Sequence, residues 1–162
     1  MSRPEVDPAQ FRQLLGRFAT GVTVITLYLP DGRPAGMTAN SLASVSLEPP
    51  LLSTCIDHDA ELYDSLMAAP GYAINILEAS QEALSRRFAA KHLDRFEGVG
   101  YHSSPDGHPI LDGVLAWIDC RPHATFPGGD HTILVGSVRR GGTTEGAPLL
   151  YFRGGYTGLA HG

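Results

Sequence analysis

Gly36-Met37-Thr38-Ala39-Asn40-Ser41, followed by Ser44-Val45-Ser46-Leu47-Glu48-Pro49-Pro50-Leu51, is strand-like. Yet it carries small hydroxyl and amide side chains where a sheet core takes bulky apolar ones. Such a strand, with its own backbone N–H and C=O groups, is suited to gripping a flat polar ring. The same pattern also suits an edge strand that turns polar residues to solvent. Working outward, Pro30-Asp31-Gly32-Arg33 is a turn between two strand-like runs, Val22–Leu27 and Ala35–Leu47, and Glu48-Pro49-Pro50 stops the second. Leu51–Ile56 is a third strand, with Ser53, Thr54 and Cys55 at its centre.

Upstream, Asp7 is a good N-cap and Pro8 fits the first helical position. Phe11, Leu14, Leu15 and Phe18 then recur at helical spacing on one apolar face. Downstream, the pattern predicts a helical patch over 58–68, a strand over 72–77 and a second helix capped by Ser80 with Glu82 in its first turn. A long surface loop over 94–109 follows, then strands over 114–120 and 131–138 around the turn Gly128-Gly129-Asp130, and a last strand over 149–152. Strands outnumber helices and turns join most of them. That predicts a mainly β, antiparallel barrel or sandwich with a few helices at its edge. No repeat, low-complexity tract or linker divides residues 1–162, so one domain is expected.

Composition narrows the function. Hydrophobic residues make up 43% and charged residues 18%, which is a globular balance. A net charge of -5 and no basic stripe argue against a nucleic-acid partner. No apolar run reaches the length that crosses a bilayer, and the opening Met1-Ser2-Arg3-Pro4-Glu5 lacks the apolar core of a signal peptide. A cytoplasmic location is the expectation. Cys55 and Cys120 fit reduced thiols better than a disulfide framework. The histidines show no metal-ligand spacing, and neither a Gly-x-Ser-x-Gly elbow nor a His-Glu-x-x-His pair occurs. Gly98-Val99-Gly100-Tyr101-His102-Ser103 lacks the third glycine and the preceding strand of a dinucleotide fingerprint.

Three spots carry candidate chemistry, and each has a plain reading beside it. Thr38, Asn40 and Ser41 match a ring edge of alternating donors and acceptors, or simply face water. Arg87, near a helix end, supplies charge for a phosphate, or is a solvated residue favoured by the helix dipole. His131, lifted by Gly129-Asp130, points into a cleft, or closes a surface turn.

Their order adds what no single piece has. Phe18-Ala19-Thr20-Gly21-Val22-Thr23-Val24-Ile25-Thr26, the Gly36–Ser41 and Ser44–Leu51 stretches, Asn75-Ile76-Leu77, Arg87-Phe88-Ala89, Asp94-Arg95-Phe96, Gly129-Asp130-His131, Pro148-Leu149-Leu150-Tyr151 and Gly154-Gly155-Tyr156 follow one another along nearly the whole chain. This series resembles the flavin reductase-like family. The resemblance implies a Greek-key-type split β-barrel homodimer that binds FMN or FAD and oxidises NADH or NADPH. It also implies that reduced flavin serves a separate flavin-dependent oxygenase. By the same resemblance, Thr38, Ala39, Asn40 and Ser41 contact the ring, and Ser53, Thr54 and Cys55 lie beside ring and ribityl chain. Arg87, Phe88 and Ala89 lie near the flavin phosphate, His131 near the nicotinamide, and Tyr156 near the cleft. Leu42 departs from the aromatic that many members carry after Asn-Ser. His58-Asp59-Ala60-Glu61 replaces a stretch richer in Ser and Thr, which leaves FMN against FAD open. A split-barrel oxidase with tightly held FMN and a non-catalytic flavin or haem module are the alternatives.

Overall fold

The computed structural model describes Ser2 and residues 5–160. The chain opens with α1 (Pro8–Leu15), where Asp7 accepts the Gln10 N–H at 2.8 Å as N-cap. β1 (Thr20–Gly21) and β2 (Thr23–Tyr28) follow. Thr23 through Leu27 are all buried, so β2 is a central strand covered on both faces, which its unbroken Val-Ile-Thr-Leu run requires.

The run read as one strand from Ala35 to Leu47 is two. β3 (Pro34–Ala39) ends before Asn40, and β4 (Ala43–Leu47) begins after Leu42. β5 (Pro50–Asp57) is longer than expected at both ends. The helical patch shrinks to α2 (Tyr63–Ala68), because 58–62 is spent turning out of β5. β6 (Tyr72–Ile76) and α3 (Glu82–Ala89) follow. Gln81 stands at the N-cap of α3 without a side-chain capping bond. Ser80 donates its hydroxyl to Glu78 instead. The expected long loop contains a small hairpin, β7 (Tyr101–Ser103) with β8 (Pro109–Leu111).

β9 (Ala116–Gly128) and β10 (His131–Thr143) form the longest hairpin, with register shifts after Val135 and Val138. The turn is the two residues Gly129 and Asp130, and Gly129 sits at φ 69°, which glycine adopts freely. Two short strands end the chain, β11 (Leu150–Phe152) and β12 (Gly155–Thr157), the second of which the sequence did not signal.

The main sheet is antiparallel throughout, in the order β3-β2-β6-β9-β10-β5-β4, and it curls into a split β-barrel. The curl closes at Ser41, beyond the end of β3. Its hydroxyl accepts the Cys55 N–H at 2.9 Å and lies 3.3 Å from the Cys55 carbonyl, which stitches the β3–β4 connection onto β5. Two apolar clusters fill the structure. One gathers Ile25, Leu27, Leu52, Ile56, Leu66, Tyr72, Ile74 and Leu134; the other lies under α3 around Val24, Leu77, Phe88, Phe96 and Ile110. Both cysteines are free, Cys120 buried and Cys55 half-buried. The apolar face of α1 meets neither cluster: the helix has no buried residue, and Phe18, just beyond it, is 74% exposed.

Candidate functional site

β3 pairs only with β2, so its other edge keeps unpaired backbone groups. A trough runs along that edge. α3 forms one wall because it packs unusually close to β3. A Cβ added at Gly36 would come within 2.9 Å of the Ile25 carbonyl oxygen and 3.0 Å of the Phe88 ring. Thr38 donates its hydroxyl to the Ser85 carbonyl at 2.6 Å, a second tie between strand and helix. Tyr151 and Tyr156 pack edge to face at 5.4 Å and close the trough opposite. The Tyr156 hydroxyl bonds Ser85 Oγ at 2.7 Å, and the Arg86 guanidinium stands 4.9 Å over its ring.

The trough is a row of cavities with shared walls. The central one, about 320 Å³, lies between Thr38, Ala39 and Asn40 on one side and Ala89, Tyr151 and Tyr156 on the other. Asn40 and Tyr151 also line a cavity of about 520 Å³ under Phe11, Leu15 and Phe18. In the opposite direction, Thr38 and Ala89 also line a cavity of about 210 Å³ beneath Asp57, Asp59, Glu61, Lys91 and Arg95.

Several predicted residues line this trough: Thr38, Ala39, Asn40, Ser41, Phe88, Ala89 and Tyr156. Their side chains differ in what they have free. The Thr38 and Ser41 hydroxyls already bond protein backbone, and Phe88 is wholly buried, with its ring 5.0 Å from Phe96. Asn40 is exposed, and its amide has no hydrogen-bond partner among the described residues. Ser53, Thr54 and Cys55 line none of these cavities. Thr54 is wholly buried in line with Leu52 and Ile56, and its hydroxyl is unpaired; β5 reaches the trough only through its bonds to Ser41.

Arg87 is committed elsewhere. Its guanidinium donates to the carbonyls of Arg95 at 2.7 Å, Asp94 at 2.9 Å and Glu97 at 2.8 Å, so it pins the loop after α3 rather than facing the trough. In the third cavity, the cation without an ion pair among the described residues is Lys91. Arg95 is the other cation there, 13% exposed and held by Ala90 O, Gly36 O and Glu61. Neither Lys91 nor Tyr151 was singled out from the sequence. The available signal was Lys91, a lone base just past Arg87-Phe88-Ala89.

His131 stands beside the trough, not in its wall. It pairs across the ladder with Asp57, which lines the third cavity. Its Nδ1 lies 2.7 Å from Asp130 Oδ1, and that hydrogen bond holds the Asp130 carboxyl below its ordinary range.

The donor set fits the polar edge of an isoalloxazine ring. The β3 edge offers backbone groups, Asn40 offers a free amide, and Thr20 Oγ1, in the wall of the cavity of about 520 Å³, is buried without a partner. An antiparallel split barrel with such an edge-strand trough defines a flavin-binding class of protein. The flavin reductase like domain matches residues 15–160, and the chain belongs to that family. It is 42% identical over 159 residues to a flavin reductase of Pseudomonas putida, covering 98% of this chain and 94% of that one. It is 38% identical to the reductase subunit HsaB of a flavin-dependent monooxygenase from Mycobacterium tuberculosis, covering 96% of this chain and 84% of that one. Among solved structures, the Streptomyces globisporus NADH:FAD oxidoreductase SgcE6 in complex with NAD and FAD fragments superposes with a TM-score of 0.89, at 38% identity, and 98% of each chain is covered.

Proposed function

We propose that this chain is an NAD(P)H:flavin oxidoreductase that passes a hydride from NADH or NADPH to FMN or FAD and releases reduced flavin to a separate monooxygenase. The observation that carries the reading is the trough along the free edge of β3, inside a chain that belongs to the flavin reductase-like family.

When both are bound, the nicotinamide supplies the hydride and the flavin accepts it. The chain's own part is placement and charge. Asn40 and the outward backbone groups of Thr38 hold the ring's polar edge, and fixed donors there stabilise negative charge growing on it without reorganising. Ala89 presents only a methyl group to the central cavity, and Tyr151 and Tyr156 supply flat apolar walls. Lys91 holds a phosphate from the third cavity. His131, oriented by Asp130, positions the nicotinamide rather than moving a proton. Ser53 and Cys55 support the site by fixing β5 against Ser41 and Ala43.

The functional unit in this reading is a homodimer, with a second copy covering the exposed α1 face above the cavity that Phe11 and Leu15 share with Asn40. No helix among the described residues is long and apolar enough to cross a membrane, and we place the protein in the cytoplasm. The trough is exposed at Asn40 and Ala89, which favours a flavin that comes and goes over one held permanently. Steady-state NADH and NADPH oxidation with added free FMN or FAD tests this: rates rise and saturate with flavin. Absence of oxidation with either flavin sinks the reading.

A further inference from the structure

A separate cavity of about 550 Å³ opens where β6 begins, between Pro70, Gly71, Asp106, His108 and Arg121. It shares no wall residue with the three cavities of the trough. Its volume falls within the roughly 300–1,000 Å³ of small-molecule sites. Its floor is built on a buried carboxylate. Asp119 on β9 is wholly buried. Its Oδ1 accepts the Ser104 hydroxyl at 2.7 Å and lies 2.7 Å from His108 Nδ1. Its Oδ2 is buried with no partner among the described residues, so Ser104 and His108 carry the compensation for its lost water. The β7–β8 turn that presents His108 is itself tied down. The His108 N–H donates to Ser104 Oγ at 3.0 Å, and the Ser104 N–H donates to the His108 carbonyl at 2.8 Å. Ser104 is no nucleophile for this histidine, because its hydroxyl is spent on the carboxylate and not on the imidazole.

With Nδ1 turned to Asp119, Nε2 is the ring nitrogen left for a ligand, and it has no partner among the described residues. Gly71 makes room for it, since a Cβ there would come within 2.6 Å of Nε2. Arg121 stands two residues beyond Asp119, on the same face of β9. It is exposed, and its guanidinium forms neither an ion pair nor a hydrogen bond among the described residues. Arg140, by contrast, donates to Asp106 at 2.8 Å. Protonated His108 cancels Asp119, Arg140 cancels Asp106, and Arg121 leaves one positive charge over.

One surplus charge on a planar fork suits a planar monoanion. A carboxylate can take two parallel N–H bonds from Arg121 and a third from His108 Nε2. A phosphate dianion would set a second, unmatched charge beside Asp106. The Pro70 ring gives the remainder of the ligand an apolar wall.

We infer that this cavity is a binding site for a small organic carboxylate, held by Arg121 and His108 and separate from the flavin trough. Calorimetric titration of the full chain with acetate, benzoate, benzamide and inorganic phosphate tests it. Acetate or benzoate is expected to bind at one site per chain, and benzamide, which has the shape of benzoate without its charge, at least about tenfold more weakly than benzoate. Arg121→Gln should weaken the carboxylate at least about tenfold and leave NADH oxidation with free flavin at the wild-type rate, and Arg121→Lys should restore part of the binding. Saturating FMN should not displace the carboxylate. A wild-type protein that binds neither acetate nor benzoate overturns the inference, as does binding that Arg121→Gln leaves unchanged, or phosphate held as tightly as the carboxylates. Displacement by FMN overturns it too, since the carboxylate would then lie in the trough. None of these results bears on the reductase reading, which the flavin assays test by themselves.

Discussion

In the proposed reaction, Asn40 and His131 would divide the work of the site between holding the flavin and orienting its partner. Asn40 stands in two adjoining cavities with an amide that nothing else occupies, whereas His131 is tied to Asp130 beside the trough. Asn40→Ala therefore weakens flavin binding. A net hydrogen bond is worth about 0.5–1.5 kcal/mol, and Asn40 is exposed, so the expected loss is about threefold to tenfold in Kd. His131→Ala leaves Kd for flavin near wild type and lowers single-turnover hydride transfer on the order of tenfold, less than the loss of a fully buried charge-stabilising donor. Flavin titration and stopped-flow reduction by NADH separate the two effects; equal losses of affinity in both variants would remove the division.

Cys120 offers a different residue-scale test. Burial, and then the Asp119 carboxylate, push its thiol up to about 12, and burial raises Tyr72 as well. The folded chain thus keeps protons that the unfolded chain releases from about pH 8.5 for cysteine and about 10 for tyrosine. This stability is complete below about pH 8.5 and declines as pH rises from there. Urea midpoints should fall between pH 8 and 10 at constant ionic strength, and Cys120→Ala should flatten that decline. At this scale the sequence was only half legible. It marked Asn40 as polar in a strand, but it did not reveal that the Thr38 and Ser41 hydroxyls, or the Arg87 guanidinium, are consumed by backbone partners distant in sequence.

Among elements, the contact of α3 with β3 matters most, because it sets the width of the trough. Gly36 permits it. A methyl there meets the Ile25 carbonyl and the Phe88 ring together, and the first is backbone that cannot swing aside. Overpacking of this kind costs about 1–3 kcal/mol. Gly36→Ala should lower Tm by roughly 2–12 °C. It should also weaken flavin binding by shifting α3 and with it Ala89. Normal Tm and normal affinity together would show that the close approach is not needed. The strands were legible because their apolar runs and turn residues are local: Pro30–Arg33 and Gly128–Asp130 fall where hairpins turn. The break between β3 and β4 was not, since no Gly or Pro marks it and it depends on Ser41 docking onto Cys55. Ser80 misled as a cap because Glu78, two residues back, takes its hydroxyl.

For the whole molecule, the unfinished part is the apolar face of α1. The spacing of Phe11, Leu14, Leu15 and Phe18 marked one apolar face, and these residues are 57%, 56%, 52% and 74% exposed. Edge strand β4 adds Val45 at 52% and Leu47 at 96%, and its Ala43 lines the same cavity as Phe11 and Leu15. Fully burying a large apolar side chain is worth about 1.5–3 kcal/mol, so the four α1 residues yield about 6–12 kcal/mol at most. Association itself costs about 4–15 kcal/mol. The helix alone can fall short of that cost, and Val45 and Leu47 on the β4 edge add to what it yields, so the proposed dimer would bury both surfaces. Light scattering on the eluting wild-type protein should give twice the 17.3 kDa chain mass. Leu15→Glu should shift it toward monomer. Because Leu15 roofs the cavity that Asn40 also lines, the same substitution should weaken flavin binding in step with dissociation, and raising protein concentration should restore both. A wild-type protein that elutes as a monomer with full flavin affinity would leave α1 with no such role.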